Sequence, residues 1–143
     1  MKSAFFIVFA SLFFSAIPME QEPLTITLTN IKTTEGNIRI GIYEAKNDFP
    51  NENDTYKNKV FKISKTGTLT LKIKDLPYGK YAIGLYQDKN SNKKLDTNFF
   101  GAPKEPFAFS NNIRPRFSAP SYKDCEITYS ATNNKIKVNL LNY

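Results

Sequence analysis

Gly67-Thr68-Leu69-Thr70-Leu71-Lys72-Ile73-Lys74, followed by Asp75-Leu76-Pro77-Tyr78-Gly79 and then Lys80-Tyr81-Ala82-Ile83-Gly84-Leu85-Tyr86, decides the fold class. Leu69, Leu71 and Ile73 alternate with Thr70, Lys72 and Lys74, the period of a strand with one face buried and one in water. Leu76-Pro77-Tyr78-Gly79 fits a type I turn, with proline presetting φ at the second position and glycine at the fourth. Beyond it, Tyr81, Ile83 and Leu85 share one face, and Ala82, Gly84 and Tyr86 share the other. With both faces partly apolar, this strand is expected at the centre of its sheet.

The same period extends outward in both directions. Leu24, Ile26 and Leu28 alternate with threonines. After a turn at Glu35, Gly36 and Asn37, Ile38, Ile40 and Ile42 alternate with Arg39, Gly41 and Tyr43, and the two runs suggest a hairpin. The polar stretch 45–59 is expected as a surface connection, and a short strand is expected around Val60 to Ile63. Toward the C-terminus, Cys125, Ile127 and Tyr129 predict one strand and Ile136, Val138 and Leu140 the last. Seven short strands without a helix, one long irregular loop and turns between them predict an all-β chain, an antiparallel Greek-key β-sandwich. A small barrel is the alternative.

The N-terminus sets the expected compartment. Lys2 precedes an apolar run from Ala4 to Phe14 and the small or turn residues Ser15, Ala16 and Pro18, the pattern of a secretory signal peptide. We place it at residues 1–16, with the cut near Ala16, and a single β-sandwich domain at residues 23–143. The run falls short of the roughly 20 residues of a membrane span, so the protein is expected to be periplasmic or secreted and not membrane-spanning. About 125 residues remain, enough for one core. The formal charge of +7 becomes +6 once Lys2 leaves. Lys72, Lys74, Lys135 and Lys137 alternate with apolar residues, which makes them a solvated surface rather than a nucleic-acid stripe. The single cysteine, Cys125, cannot form an internal disulfide, and its alternation favours burial.

Chemistry is narrowed first by what is missing. The chain has no histidine, which excludes histidine-based triads and the usual zinc sites. Asp88, Asp96 and Glu105 leave room for a carboxylate-dependent hydrolase, although nothing in their spacing makes any two face one another. Asp88, Asn90, Asn92 and Asp96 occupy the first, third, fifth and ninth places of one short loop, a spacing suited to Ca2+. The sixth place is Lys93 and the twelfth Phe99, so only two carboxylates are offered, beside Lys89, Lys93 and Lys94. The plainer reading is that these four side chains bond to nearby amides as Asx turns.

The segment that follows, to Tyr122, holds Phe99, Phe100, Phe107, Phe109 and Phe117 among Pro103, Pro106, Pro115 and Pro120. Such residues either pack over the sandwich or form a binding surface. Two of the three arginines, Arg114 and Arg116, also fall here, where they could pair with Asp96 or Glu105 or hold an anionic ligand. We take Phe99, Phe100, Phe107, Phe109, Arg114, Arg116 and Tyr122 as the candidate surface for an extracytoplasmic ligand or protein partner.

The run Tyr86-Gln87-Asp88-Lys89-Asn90-Ser91-Asn92-Lys93-Lys94-Leu95-Asp96-Thr97-Asn98-Phe99-Phe100-Gly101-Ala102-Pro103-Lys104-Glu105-Pro106, then Phe109-Ser110-Asn111-Asn112, resembles the signature of the bacterial domain of unknown function 2141 family. The turn from Leu76 to Tyr81 and the stretch from Pro120 to Asp124 are similar too, so the resemblance covers nearly all of the chain after the leader. It implies an exported single domain with a prealbumin-like (transthyretin-like) sandwich and no established activity. Two departures stand out. The family usually has histidine where this chain has Gln87, and glycine where it has Lys93.

Overall fold

The computed structural model describes residues 20–142; the expected signal peptide, residues 1–16, lies outside them. Eight strands form: β1 (Leu24–Ile31), β2 (Asn37–Tyr43), β3 (Lys57–Lys62), β4 (Gly67–Ile73), β5 (Gly79–Asp88), β6 (Phe107–Phe109), β7 (Ile127–Tyr129) and β8 (Lys135–Asn139). One sheet has the order β4-β1-β8; the other has the order β3-β2-β5-β6, with β7 also on β5. The long strand β5 serves two partners along one edge, β7 over Gly79–Tyr81 and β6 over Gly84–Tyr86. Its other edge is taken by β2. It is the central strand that its two apolar faces predicted.

The two sheets enclose one core. Leu24, Ile26 and Leu28 from β1, Leu71 and Ile73 from β4 and Val138 from β8 meet Ile38, Ile40 and Ile42 from β2 and Tyr81, Ile83 and Leu85 from β5. Each such side chain contributes about 1.5–3 kcal/mol on leaving water. Lys72, Lys74, Lys135 and Lys137 are exposed, as the alternation requires. An all-β sandwich is therefore the architecture.

Four details depart from the sequence reading. The runs Leu24–Leu28 and Ile38–Ile42 do not form a hairpin, because β1 and β2 lie in different sheets and both edges of β1 are occupied by β4 and β8. Between them the chain bulges at Thr29–Asn30, where Asn30 is left-handed (φ 67°) and its side-chain Nδ2 donates to Leu140 O at 2.7 Å. Alternation fixes which face a residue takes, but not which sheet the strand joins. The β1–β8 pair is parallel, so the sandwich is not purely antiparallel. β6 is an eighth strand inside the segment expected to be irregular; three residues are too few to show a period. Cys125 belongs to a helical turn, α1 (Tyr122–Cys125), and not to a strand. Ser121 caps that turn: its Oγ accepts from Asp124 N at 3.2 Å while the Asp124 carboxylate accepts from Ser121 N at 3.2 Å, a reciprocal capping box. Cys125 is free and buried.

Candidate functional site

The outer face of the small sheet is threonine and lysine, but the outer face of the large sheet is different in kind. Register aligns Val60, Arg39, Tyr86 and Phe107 in one row across β3, β2, β5 and β6, and Asn58, Gly41, Gly84 and Phe109 in the next. Gly41 sits opposite Gly84, so the middle of the face carries no side chains. A cleft of about 300 Å³ lies over it. Besides both rows, Tyr43, Pro50, Glu52, Asn53, Lys59, Lys93 and Leu95 line it. The walls come from the 50–53 connection and from the loop after β5.

Arg39 is the fixed charge of this cleft. Its Nε donates to Asp88 Oδ2 at 2.6 Å. Asp88 is fully buried and also accepts from Asn92 N (Oδ1) and Lys93 N (Oδ2), each at 3.0 Å. An arginine has five N–H donors, and among the described residues no further bond is formed to this guanidinium. Tyr86 is the cross-strand neighbour of Arg39, and Tyr43 lines the same cleft. Tyr86 OH donates to Glu52 Oε2 at 3.2 Å and Tyr43 OH to Pro50 O at 3.1 Å. Burial, then the negative charge of Glu52, pushes both phenols well above their ordinary range, so both remain neutral donors at neutral pH.

The loop after β5 is built by its own polar side chains. Asn90 Nδ2 and Asn92 Nδ2 donate to the two oxygens of Asp96 at 2.7 and 2.8 Å. Asn90 Oδ1 accepts from Asn92 N and Asn92 Oδ1 from Lys94 N, which are Asx turns. Glu105, buried, spans the loop's two ends by accepting from Lys89 N at 2.8 Å and Asp96 N at 3.1 Å. Asp88, Asp96 and Glu105 thus serve as acceptors that shape the loop. Among the residues lining the cleft the single carboxylate is Glu52.

The expected surface residues divide. Phe99 and Phe100 are almost wholly in water, 96% and 90% exposed. Phe107 is buried in β6 beside Tyr86 and Leu141. Phe109 and Tyr122 are half-buried, and both rings pack edge-on against Phe49. For those three the packing reading holds, although Phe107 and Phe109 also line the cleft. Arg114 and Arg116 are exposed. Among the described residues neither pairs with Asp96 or Glu105, and Arg114 borders a shallow depression of about 70 Å³ away from Arg39. The sequence reading missed Arg39, Gly41, Tyr43 and Gly84. The signal was present: the outward positions of β2 and β5 are Arg-Gly-Tyr and Ala-Gly-Tyr, where a plain solvent face would carry threonine or lysine.

A family model described as an uncharacterized protein conserved in bacteria (DUF2141) matches residues 26–137. The chain belongs to that family. No curated protein and no solved structure matches it. The DUF2141 stretch runs from within β1 to within β8, so it includes the cleft, the Asx loop and the 88–122 segment.

The two departures from the DUF2141 pattern now have places. Lys93 is left-handed (φ 67°), the conformation that glycine adopts without strain. Gln87 lies on the inward face of β5, fully buried, and its Nε2 donates to Thr33 O, Thr33 Oγ1 and Glu35 O. Its Oε1 is buried with no partner among the described residues. The position faces the link between β1 and β2, away from the cleft.

Proposed function

We propose that this DUF2141 protein is an exported binding module rather than an enzyme, and that the cleft on the outer face of its large sheet takes a metabolite-sized acid. The observation that carries the reading is Arg39: buried Asp88 holds its Nε, and the rest of the guanidinium remains available beside an open floor. Lys59 and Lys93 add positive charge at the walls. Tyr43, Tyr86, Phe107 and Phe109 supply flat apolar surface for the body of the ligand. A volume of about 300 Å³ sits at the lower end of ligand-site sizes. The 88–122 segment contributes Lys93, Leu95, Phe107 and Phe109, and so works as a wall of the site. The export part of the reading rests on Lys2 and the apolar run after it.

A thermal-shift screen of small carboxylates and phosphates, aromatic ones included, tests this reading. An acid present at about 100 times its Kd adds about 2.7 kcal/mol, which is several degrees of Tm for a chain of this size. That shift is expected to vanish in Arg39→Gln. If no acid raises Tm, or the shift survives Arg39→Gln unchanged, the cleft is not the site.

A second reading, a calcium-stabilised structural domain, keeps one supporting observation: Asn90, Asn92 and Asp96 converge within hydrogen-bonding distance of one another. Against it, Asp88 is already engaged by Arg39. Equal melting temperatures in millimolar calcium and in chelator would remove it.

A further inference from the structure

The tip of the long loop holds two phenylalanines in water on an ordered turn. Thr97 bridges Pro103, Asn98 N donates to Ala102 O at 2.8 Å, and Lys104 N donates to Asp96 O at 2.8 Å. Asn98 Oδ1 accepts from Phe100 N at 2.9 Å and Ala102 N at 3.0 Å, and Gly101 takes the left-handed place (φ 79°). Backbone and Asn98 therefore close the turn without help from the rings. The Phe99 and Phe100 rings meet each other edge-on, with centroids 5.4 Å apart. Both remain at least nine-tenths exposed. Exposed single apolar residues are ordinary; two adjacent rings on a hydrogen-bonded turn, left uncovered among the described residues, have the character of a contact surface.

Charge indicates what covers them. Lys89, Lys94 and Lys104 are all exposed in the stretch that carries the tip, and Lys104 directly flanks the turn through its bond to Asp96 O. The acids of the same stretch are withdrawn, Asp96 by the amides of Asn90 and Asn92 and Glu105 by burial. An apolar point in a cationic collar complements a bilayer with anionic headgroups, where aromatic rings enter the headgroup–acyl boundary and each nearby lysine adds attraction.

We propose that Phe99 and Phe100 insert into the surface of an anionic lipid bilayer and dock the protein there. The cleft plays no part in this docking, and the two readings stand or fall separately. The turn is closed by its own hydrogen bonds and already presents both rings, which lowers the ordering cost of insertion.

Vesicle co-sedimentation tests the proposal, with every variant carrying the same N-terminus so that any contribution of that end is common to all. The protein is expected to sediment with vesicles of phosphatidylglycerol in phosphatidylcholine, at least tenfold more weakly with phosphatidylcholine alone, and more weakly as salt rises. Phe99→Ser with Phe100→Ser is expected to weaken binding at least tenfold. Lys94→Glu with Lys104→Glu should weaken it comparably at low salt. Because the chain has no tryptophan, Phe100→Trp provides a single indole, which is excited selectively over the tyrosines and whose emission should shift to the blue on addition of anionic vesicles and be quenched by brominated acyl chains. Unchanged emission, or equal sedimentation of the serine double variant, overturns the proposal. A blue shift on concentrating the protein without lipid makes the tip a self-association surface and overturns it as well.

Discussion

Arg39 Nε donates to the Asp88 carboxylate across 2.6 Å, tying β2 to the end of β5 at the point where the Asx loop begins. Asp88 Oδ2 accepts from both Arg39 Nε and Lys93 N, and Oδ1 accepts from Asn92 N. Asp88→Asn keeps the shape but offers one acceptor oxygen to these three donors. At least one donor loses its partner, and the arginine loses its counter-charge. The expected loss is about 3 kcal/mol, with a fall in Tm of roughly 10 °C, read by urea unfolding. Arg39→Met leaves the fully buried Asp88 carboxylate its two amides but no counter-charge, and should cost a comparable amount. Equal midpoints for Asp88→Asn and the parent would show that the carboxylate is not what holds the loop.

Gly41 and Gly84 face each other at the floor of the cleft but differ in the space above them. A Cβ on Gly84 would lie 3.5 Å from the Phe109 ring, an ordinary contact, whereas one on Gly41 would lie 2.8 Å from Tyr43 Oη and 2.9 Å from its Cε2. Gly84→Ala is expected to leave stability within about 0.5 kcal/mol of the parent. Gly41→Ala must displace Tyr43 and should cost about 1–3 kcal/mol. Gly84→Leu would fill the cleft and should abolish any acid-induced thermal shift. Urea unfolding of the three variants checks the order; a more stable Gly41→Ala than Gly84→Ala would contradict the packing described.

The fold class was legible because alternation is a local property. Leu69, Leu71 and Ile73, or Ile136 and Val138, report a buried face whatever they pair with. Pairing partners are not local. That Leu24–Leu28 joins β4 and β8 while Ile38–Ile42 joins the other sheet depends on the bulge at Asn30 and on Gly36, and hydrophobic period carries neither. At the candidate site the loop was legible as Asx turns, since aspartate and asparagine at alternate positions have few other uses so close together. The cleft was not, because it arises from the register that sets Gly41 opposite Gly84 and Arg39 opposite Tyr86. Phe99 and Phe107 look alike in sequence. Only the bonding of β6 to β5 decides that one ring is buried and the other is not.

Gly36 controls the crossing from the first sheet to the second. It is left-handed (φ 69°), and a Cβ there would fall 1.8 Å from Asp88 O. No rotamer relieves that overlap, since both atoms belong to backbone-fixed positions. Gly36→Ala should therefore cost at least about 3 kcal/mol, from the left-handed penalty and the displaced strand end together. Hydrogen exchange supplies a local readout: the Lys89 amide, bonded to Glu105, should lose protection in the variant. Unchanged protection and an unchanged urea midpoint would mean that the link does not press on β5.

Alkaline pH should destabilise the protein through its buried thiol and phenols. Burial, then the nearby charge of Asp124, pushes the Cys125 thiol from its ordinary 9.0 up to about 12, and burial raises Tyr43 and Tyr86 as well. The folded state holds these protons more tightly than the unfolded chain, so above the unfolded values it binds more of them and stability falls with rising pH. The contribution is complete below about pH 9 and is lost as pH rises toward 12, the window set by the two Cys125 values. The urea midpoint should accordingly stay level up to about pH 8.5 and then decline, with a shallower decline in Cys125→Ala. At about pH 8 the neutral, buried thiol should ignore a disulfide reagent until denaturant is added. Rapid labelling of the native protein at that pH, or a midpoint that holds level beyond about pH 10.5, would contradict the burial of Cys125 at the end of α1.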